Sequence, residues 1–195
     1  MEQWRSSSQG ALCLTELMVV IAITAILVGI ALPAYTSLIS GVRLSSYTTA
    51  LHAALLLTRS EAIKRGRPVS ICRSNNAESS VPNCISTMSK AISTSGWGEG
   101  WMIYEDVNDD DEYTQGDKLI QVQGSLMSPS EGGAIVSIPN RNRLVFNATG
   151  QVFGVFMRFV FTRPGQMSNA QDVRVICIAS GGRIRVALSS VCTTK

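Results

Sequence analysis

The chain has 195 residues, with 17 basic and 14 acidic side chains, one histidine and five cysteines, for a formal net charge of +3. A lone histidine, with no glycine-rich phosphate loop and no nucleophile elbow, leaves no triad or cofactor site and argues against an enzyme. Charge is unevenly spread: residues 1–98, 99–140 and 141–195 stand at +4, −8 and +7, which marks either two faces with different partners or simply a solvated acidic loop and basic strand edge.

The first element is an apolar helix, LTELMVVIAITAILVGIALPAY from Leu14 to Tyr35, in which Glu16 is the only charge. No further charge appears until Arg43, leaving 26 uncharged positions. At about 1.5 Å per residue these span roughly 39 Å, enough to cross a bilayer. A carboxylate at the edge of hydrocarbon is costly unless paired, so Glu16 is a candidate functional residue. A cleaved secretory signal would need a shorter core and a small-residue cut beyond it, which Pro33 between Ala31 and Ala34 suits poorly. A plain membrane anchor satisfies length and apolarity equally well.

This segment resembles the N-terminus of type IV pilins and type II secretion pseudopilins, which have a short basic leader, a small residue at the cut and a glutamate five residues into the mature chain. Laid on Glu16, the resemblance implies a leader at 1–11 and a cut between Ala11 and Leu12. Gly10 stands one place before the usual glycine position, and Leu12 replaces the usual phenylalanine. It further implies that prepilin peptidase cleaves the chain and N-methylates Leu12. Glu16 would then pair with the N-terminal amine of a neighbouring subunit during assembly.

Beyond Pro33, expected to kink the helix, apolar and small residues recur at Leu44, Tyr47, Leu51, Leu55, Thr58 and Ala62. These steps of three and four mark one buried stripe. Arg59, Glu61, Lys64 and Arg65 lie mostly off it, and Gly66 with Pro68 ends the helix. The reading therefore divides the chain into a leader (1–11), a transmembrane or fibre-core helix (12–37) and a globular head (38–195).

Eight strands are expected: Pro68–Cys72, Gly100–Tyr104, Lys118–Val122, Ala134–Ile138, Arg143–Phe146, Val152–Phe161, Val173–Ile178 and Arg183–Leu188. The second and third flank an acidic segment as a hairpin. Loops rich in Ser, Asn, Gly and Pro occupy 75–95 and 124–133. The fold class is α+β, pilin-like, with one long helix packed on antiparallel sheet. Cys13 falls in the apolar helix, and the other four cysteines form two pairs by proximity, Cys72 with Cys84 and Cys177 with Cys192, out of three pairings open to them. Such bridges fit an oxidising compartment. A zinc site is the alternative, against which stand the absence of any CxxC and the placement of His52, the one histidine, on the helix.

Three further blocks, TRSEAIKRGRPVSIC, GWGEGWMIYEDVNDDDEYTQGDKLI and SGGRIRVA, resemble in order the helix end, acidic hairpin and final strands of the FimT/GspH group of minor pilins and pseudopilins. The implied role is a non-enzymatic subunit of a type IV pilus or type II secretion fibre, without cofactor or metal. It would be anchored by one pass in the bacterial inner membrane with its head in the periplasm. Implied partners are other pilins, prepilin peptidase and the inner-membrane assembly platform. An ordinary anchored receptor is the remaining alternative.

Two motifs could carry chemistry. In Gly182-Arg183-Ile184-Arg185, strand geometry puts Arg183 and Arg185 on one face about 6.5–7 Å apart, close to a phosphate spacing. With Arg174 or Arg163 they could hold a DNA backbone bidentately without reading sequence. In the FimT branch such a GRxR motif is linked to DNA capture for natural transformation, so DNA is the alternative partner. The opposing reading is an exposed strand with solvated arginines. The second motif, Asp106–Asp117, places Asp106, Asn108, Asp110, Thr114 and Asp117 at positions one, three, five, nine and twelve of a calcium loop. Asp111 stands where that loop needs glycine, so an acidic turn is expected instead. Trp97 and Trp101 are read as packing residues.

Overall fold

The computed structural model describes residues 14–86, 95–110, 112–127, 132–152, 156–162, 173–187 and 192. Ala11, Leu12, Cys13, Asp111 and Arg163 lie outside these. Helix α1 runs from Leu14 to Arg65, 52 residues, with Glu16 in its first turn and Lys64 and Arg65 in its last, each sign matching the helix dipole. The helical span includes Pro33. Gly66 closes it at φ 65°, its N–H donating to the Ile63 carbonyl at 3.3 Å.

The chain forms two compact units, Met1–Ile39 and Ser40–Lys195. The described part of the first is helix alone. Every large apolar side chain from Leu14 to Leu38 for which exposure is described is more than half exposed within the chain. A surface this apolar requires lipid or other protein around it, and the helix is long and apolar enough to cross a membrane. Thr24 turns its hydroxyl back onto the Val20 and Ile21 carbonyls, as a hydroxyl in apolar surroundings must.

In the second unit, α1 buries Leu44, Thr48, Leu51, Ala54, Leu55, Thr58 and Ala62. The stripe is the one the spacing predicts, with Tyr47 half-buried and Thr48 and Ala54 added. Both buried threonines donate to carbonyls four residues back, so neither hydroxyl enters the core unsatisfied. Strands follow at β1 (Val69–Arg73), β2 (Trp101–Glu105), β3 (Lys118–Gln123), β4 (Ala134–Ile138), β5 (Arg143–Phe146), β6 (Met157–Thr162), β7 (Val173–Ile178) and β8 (Ile184–Ala187). A 3₁₀ turn, Trp97–Glu99, precedes β2. The strands form two antiparallel sheets of four, ordered β3-β2-β1-β5 and β4-β6-β7-β8. The division into two sheets is absent from the strand pattern, which gives existence and type but not neighbours. The expected strand from Val152 is shorter: Val152 only bridges Phe146, and β6 begins at Met157.

One core joins helix and sheets. Ile71, Ile103 and Phe146 of the first sheet meet Phe159, Phe161 and Ile176 of the second beside Leu51 and Leu55. Trp97 and Trp101 are buried, and Trp97 stands edge-on to Phe159 with ring centroids 5.0 Å apart. The Trp97 Nε1–H donates to the Arg141 carbonyl at 3.0 Å. β1 and β2 are buried at every residue because both their faces are covered. On the far face Cys72, Met102 and Tyr104 form a second small cluster with Cys84 and Tyr113. The Cys72–Cys84 disulfide holds the following loop over that face. Arg65 ties the helix end to the end of β2 through Glu105 at 2.6 Å while also pairing with Glu61 at 2.7 Å.

The β7–β8 turn is shaped by one glycine. Gly182 has φ 76°, and a Cβ there would strike the Gly150 carbonyl and come within 3.2 Å of Arg59 Nε. Its neighbour Gly181 faces open space. The turn is held by Gly182 N–H to Ala179 O at 2.8 Å and by Val152 N–H to Ser180 O at 3.0 Å. Gly182→Ala should destabilise the chain by roughly 1–3 kcal/mol, and Gly181→Ala by well under half of that, in urea unfolding of the detergent-solubilised protein. Equal costs at the two positions would refute this account of the turn.

Burial pushes the Tyr104 phenol up to about 12. The unfolded chain ionises this group near 10, so stability is retained below that value and lost as pH rises towards the folded value. The expected loss is roughly 1–3 kcal/mol across that window. Tyr104→Phe should remove this part of the alkaline sensitivity when unfolding free energies are compared between about pH 9 and pH 11.

Candidate functional site

The outer face of the second sheet follows from its register. On β6, Met157, Phe159 and Phe161 enter the core, so Arg158, Val160 and Thr162 point away from it. On β7, Ile176 and Ile178 belong to the core, leaving Val175 and Cys177 on the far face. Arg185 of β8 pairs with Cys177, which in turn pairs with Arg158. One row across the outer face therefore reads Ile138, Arg158, Cys177, Arg185.

Arg183 immediately precedes β8, is exposed, and accepts the Ala179 N–H on its carbonyl at 3.0 Å. The two-residue strand period places it on the same side as Arg185. Arg174 does not join them. It pairs with Phe161, a core residue, and so belongs to the opposite face of the sheet. Arg163, the other arginine considered, lies outside the described residues. Arg158, which the linear reading did not include, shares the outer face with Arg185. Its signal is legible in MRFVF, where apolar residues alternate around one arginine, but only the strand order shows that it neighbours Cys177.

Cys177 is 3% exposed on a face where Arg158 and Arg185 are half-buried. Its cover is Cys192, disulfide-bonded to it at a Cα separation of 5.9 Å. The bridge thus pins residue 192 over the strand between the two arginines. Arg158 and Arg185 stand two strands apart, about 10 Å at the usual inter-strand spacing. Among the described strand positions of this outer face there is no carboxylate.

Acidic groups gather elsewhere, in the β2–β3 hairpin at the edge of the first sheet. Carboxylate oxygens of Asp106, Asp110 and Asp117 lie within 4.8 Å of one another. The loop is also closed upon itself. Asp117 accepts N–H bonds from Val107 at 2.9 Å and Thr114 at 2.7 Å, and Asn108 donates to Asp110 at 2.7 Å. The Glu112 N–H, donating at 2.8 Å, holds the Asp110 carboxyl below the usual range. All five side chains counted for the calcium pattern are described; Asp111, at the glycine position, is not. Asp109 supplies the tight bend at φ 57°. Both expected disulfides are formed.

Comparison with known proteins bears on most of the second unit. The family model described as Type II transport protein GspH matches residues 48–187. Two crystal structures of the Pseudomonas aeruginosa type IV minor pilin FimU share the fold, with TM-scores of 0.53 and 0.51 and 19% identity in each case. They cover 74% and 73% of this chain, and 87% and 91% of their own. No curated protein matches the sequence. The matched span takes in both sheets and the half of α1 that packs on them, so the chain belongs to the GspH family and has the fold of a type IV minor pilin.

Proposed function

We propose that this chain is a non-enzymatic minor pilin or pseudopilin, a subunit of a type IV pilus or type II secretion fibre. The observation that carries the reading is the joining of a GspH-family head to 26 uncharged positions with Glu16 at their start. In this reading residues 1–11 are a leader, prepilin peptidase cuts between Ala11 and Leu12, and Leu12 receives a methyl group. Residues 12–37 hold the protein in the inner membrane and afterwards line the fibre. Residues 38–195 form the head, displayed first in the periplasm and then on the fibre. Glu16 sets register, because a carboxylate in hydrocarbon is stabilised by the amine of the adjacent subunit. Other pilins and the assembly platform are its protein partners.

Co-expression with a prepilin peptidase tests this directly. Mass spectrometry should find a mature chain beginning at methylated Leu12, and a chain still beginning at Met1 would instead indicate an ordinary anchored receptor. Glu16→Ala should leave cleavage intact yet lower recovery in the sheared fibre fraction by about tenfold or more, the scale of one lost ion pair in a low-dielectric setting.

A second reading has a specific observation behind it. Arg183 and Arg185 lie at an edge strand of a sheet face whose described strand positions carry no carboxylate, which suits capture of a DNA backbone during natural transformation. The full chain in detergent should then retard double-stranded DNA in a gel, with binding that weakens steeply as salt rises. The double variant Arg183→Gln/Arg185→Gln should abolish the shift. Absence of binding by the unaltered chain at low salt would leave the structural role alone.

A further inference from the structure

We infer that Arg59 of α1 is a further phosphate-binding residue, which meets a DNA backbone beside Arg183 at the turn that Gly182 shapes. The inference rests on the DNA reading above and goes beyond it by giving the helix a cation of its own in the site. Arg59 lies four residues after Leu55 and four before Ile63, so it flanks the buried stripe on the side that meets Gly150. Its Nε is 3.1 Å and 3.2 Å from where side chains on Gly150 and Gly182 would begin. That nitrogen is buried and has no hydrogen-bond partner among the described residues. A guanidinium held in this way carries a desolvation cost that the head itself does not offset.

The segments around Arg59 supply no carboxylate. The helix positions three and four residues away are Leu55, Leu56, Ala62 and Ile63, and residues 147–151 and 179–183, which form the two turns, include no acidic side chain. Glu61 is engaged by Lys64 and Arg65, Glu105 by Arg65 and Arg67, and Glu99 by Arg73. The approach from solvent is open. Ser180, Gly181 and Arg183 are exposed, and nothing lies within 4 Å of where a side chain on Gly181 would begin. Arg183 follows Gly182 directly, so one guanidinium comes from the helix and the other from the turn resting on it. The planar fork of each takes phosphate oxygens two at a time. Partial burial of Arg59 strengthens its pull on an anion, because less solvent screens the pair.

Fluorescence anisotropy with a labelled double-stranded oligonucleotide of random sequence, titrated with the full chain in detergent at several salt concentrations, tests the assignment. Arg59→Gln should weaken binding by about tenfold, the scale of one charge-assisted hydrogen bond. It should also reduce the slope of log affinity against log salt by about one. Arg59→Lys should keep the slope, since it keeps the charge. Arg67→Gln, an equal loss of charge at a residue already paired with Glu105, should change neither quantity. Urea unfolding separates binding from support of the turn: Arg59→Gln should unfold at no lower a urea concentration than the parent, because its Nε gives up no hydrogen bond. If Arg59→Gln keeps the parent's affinity and slope while Arg183→Gln/Arg185→Gln loses binding, Arg59 is no part of the site and the DNA reading stands. Earlier unfolding of Arg59→Gln, with a salt slope that Arg59→Lys fails to restore, would make Arg59 a support of the turn alone and overturn the assignment. If the unaltered chain binds no DNA, both readings fall together.

Discussion

The head is organised by the face that the second half of α1 turns towards the sheets. Leu51, Leu55 and Ala62 are wholly buried there, and Thr58 lies between them with its hydroxyl bonded inside the helix. Each fully buried leucine contributes on the order of 2 kcal/mol by removal from water. The same residues supply the surface on which two separate sheets can share a core. The inner faces of β1, β2, β6 and β7 meet around this stripe in one core, and an isolated bridge from Gly96 to Ile135 adds a backbone link. The ion pairs of Arg65 with Glu61 and Glu105 then fix where the helix ends relative to β2.

Much of this was legible in the sequence. Steps of three and four marked the helical stripe, Gly66 and Pro68 marked its end, and strand boundaries such as Ala134–Ile138, Arg143–Phe146 and Val173–Ile178 followed from apolar runs between turn residues. Two disulfides followed from proximity. What could not be read was adjacency. Strand order depends on which faces are complementary in three dimensions, and β5 pairing with β1 across some seventy residues leaves no local trace.

The same limit governed the candidate site. Arg183 and Arg185 were visible because they share one strand. Arg174 looked close in sequence but has the wrong parity, pairing with Phe161 on the core-side face. Arg158, farther away in sequence, is separated from Arg185 by one strand only. The acidic hairpin shows the opposite case: its pattern was local, and Asp106, Asp110 and Asp117 do converge, but within a loop whose own N–H groups already occupy much of their acceptor capacity.

One contact ties the exposed edge of the second sheet to the helix itself. Arg59 is a residue of α1, and its Nε lies close to where side chains on Gly150 and Gly182 would begin. The turn that presents Arg183 therefore rests on the helix directly, with no flexible segment between them. Sliding this part of α1 by one residue would move Arg59 about 1.5 Å along the axis and about 100° around it, taking the floor from beneath the turn. A displacement of this part of α1 would therefore disturb the turn that presents Arg183 together with the core on which Ile184 packs.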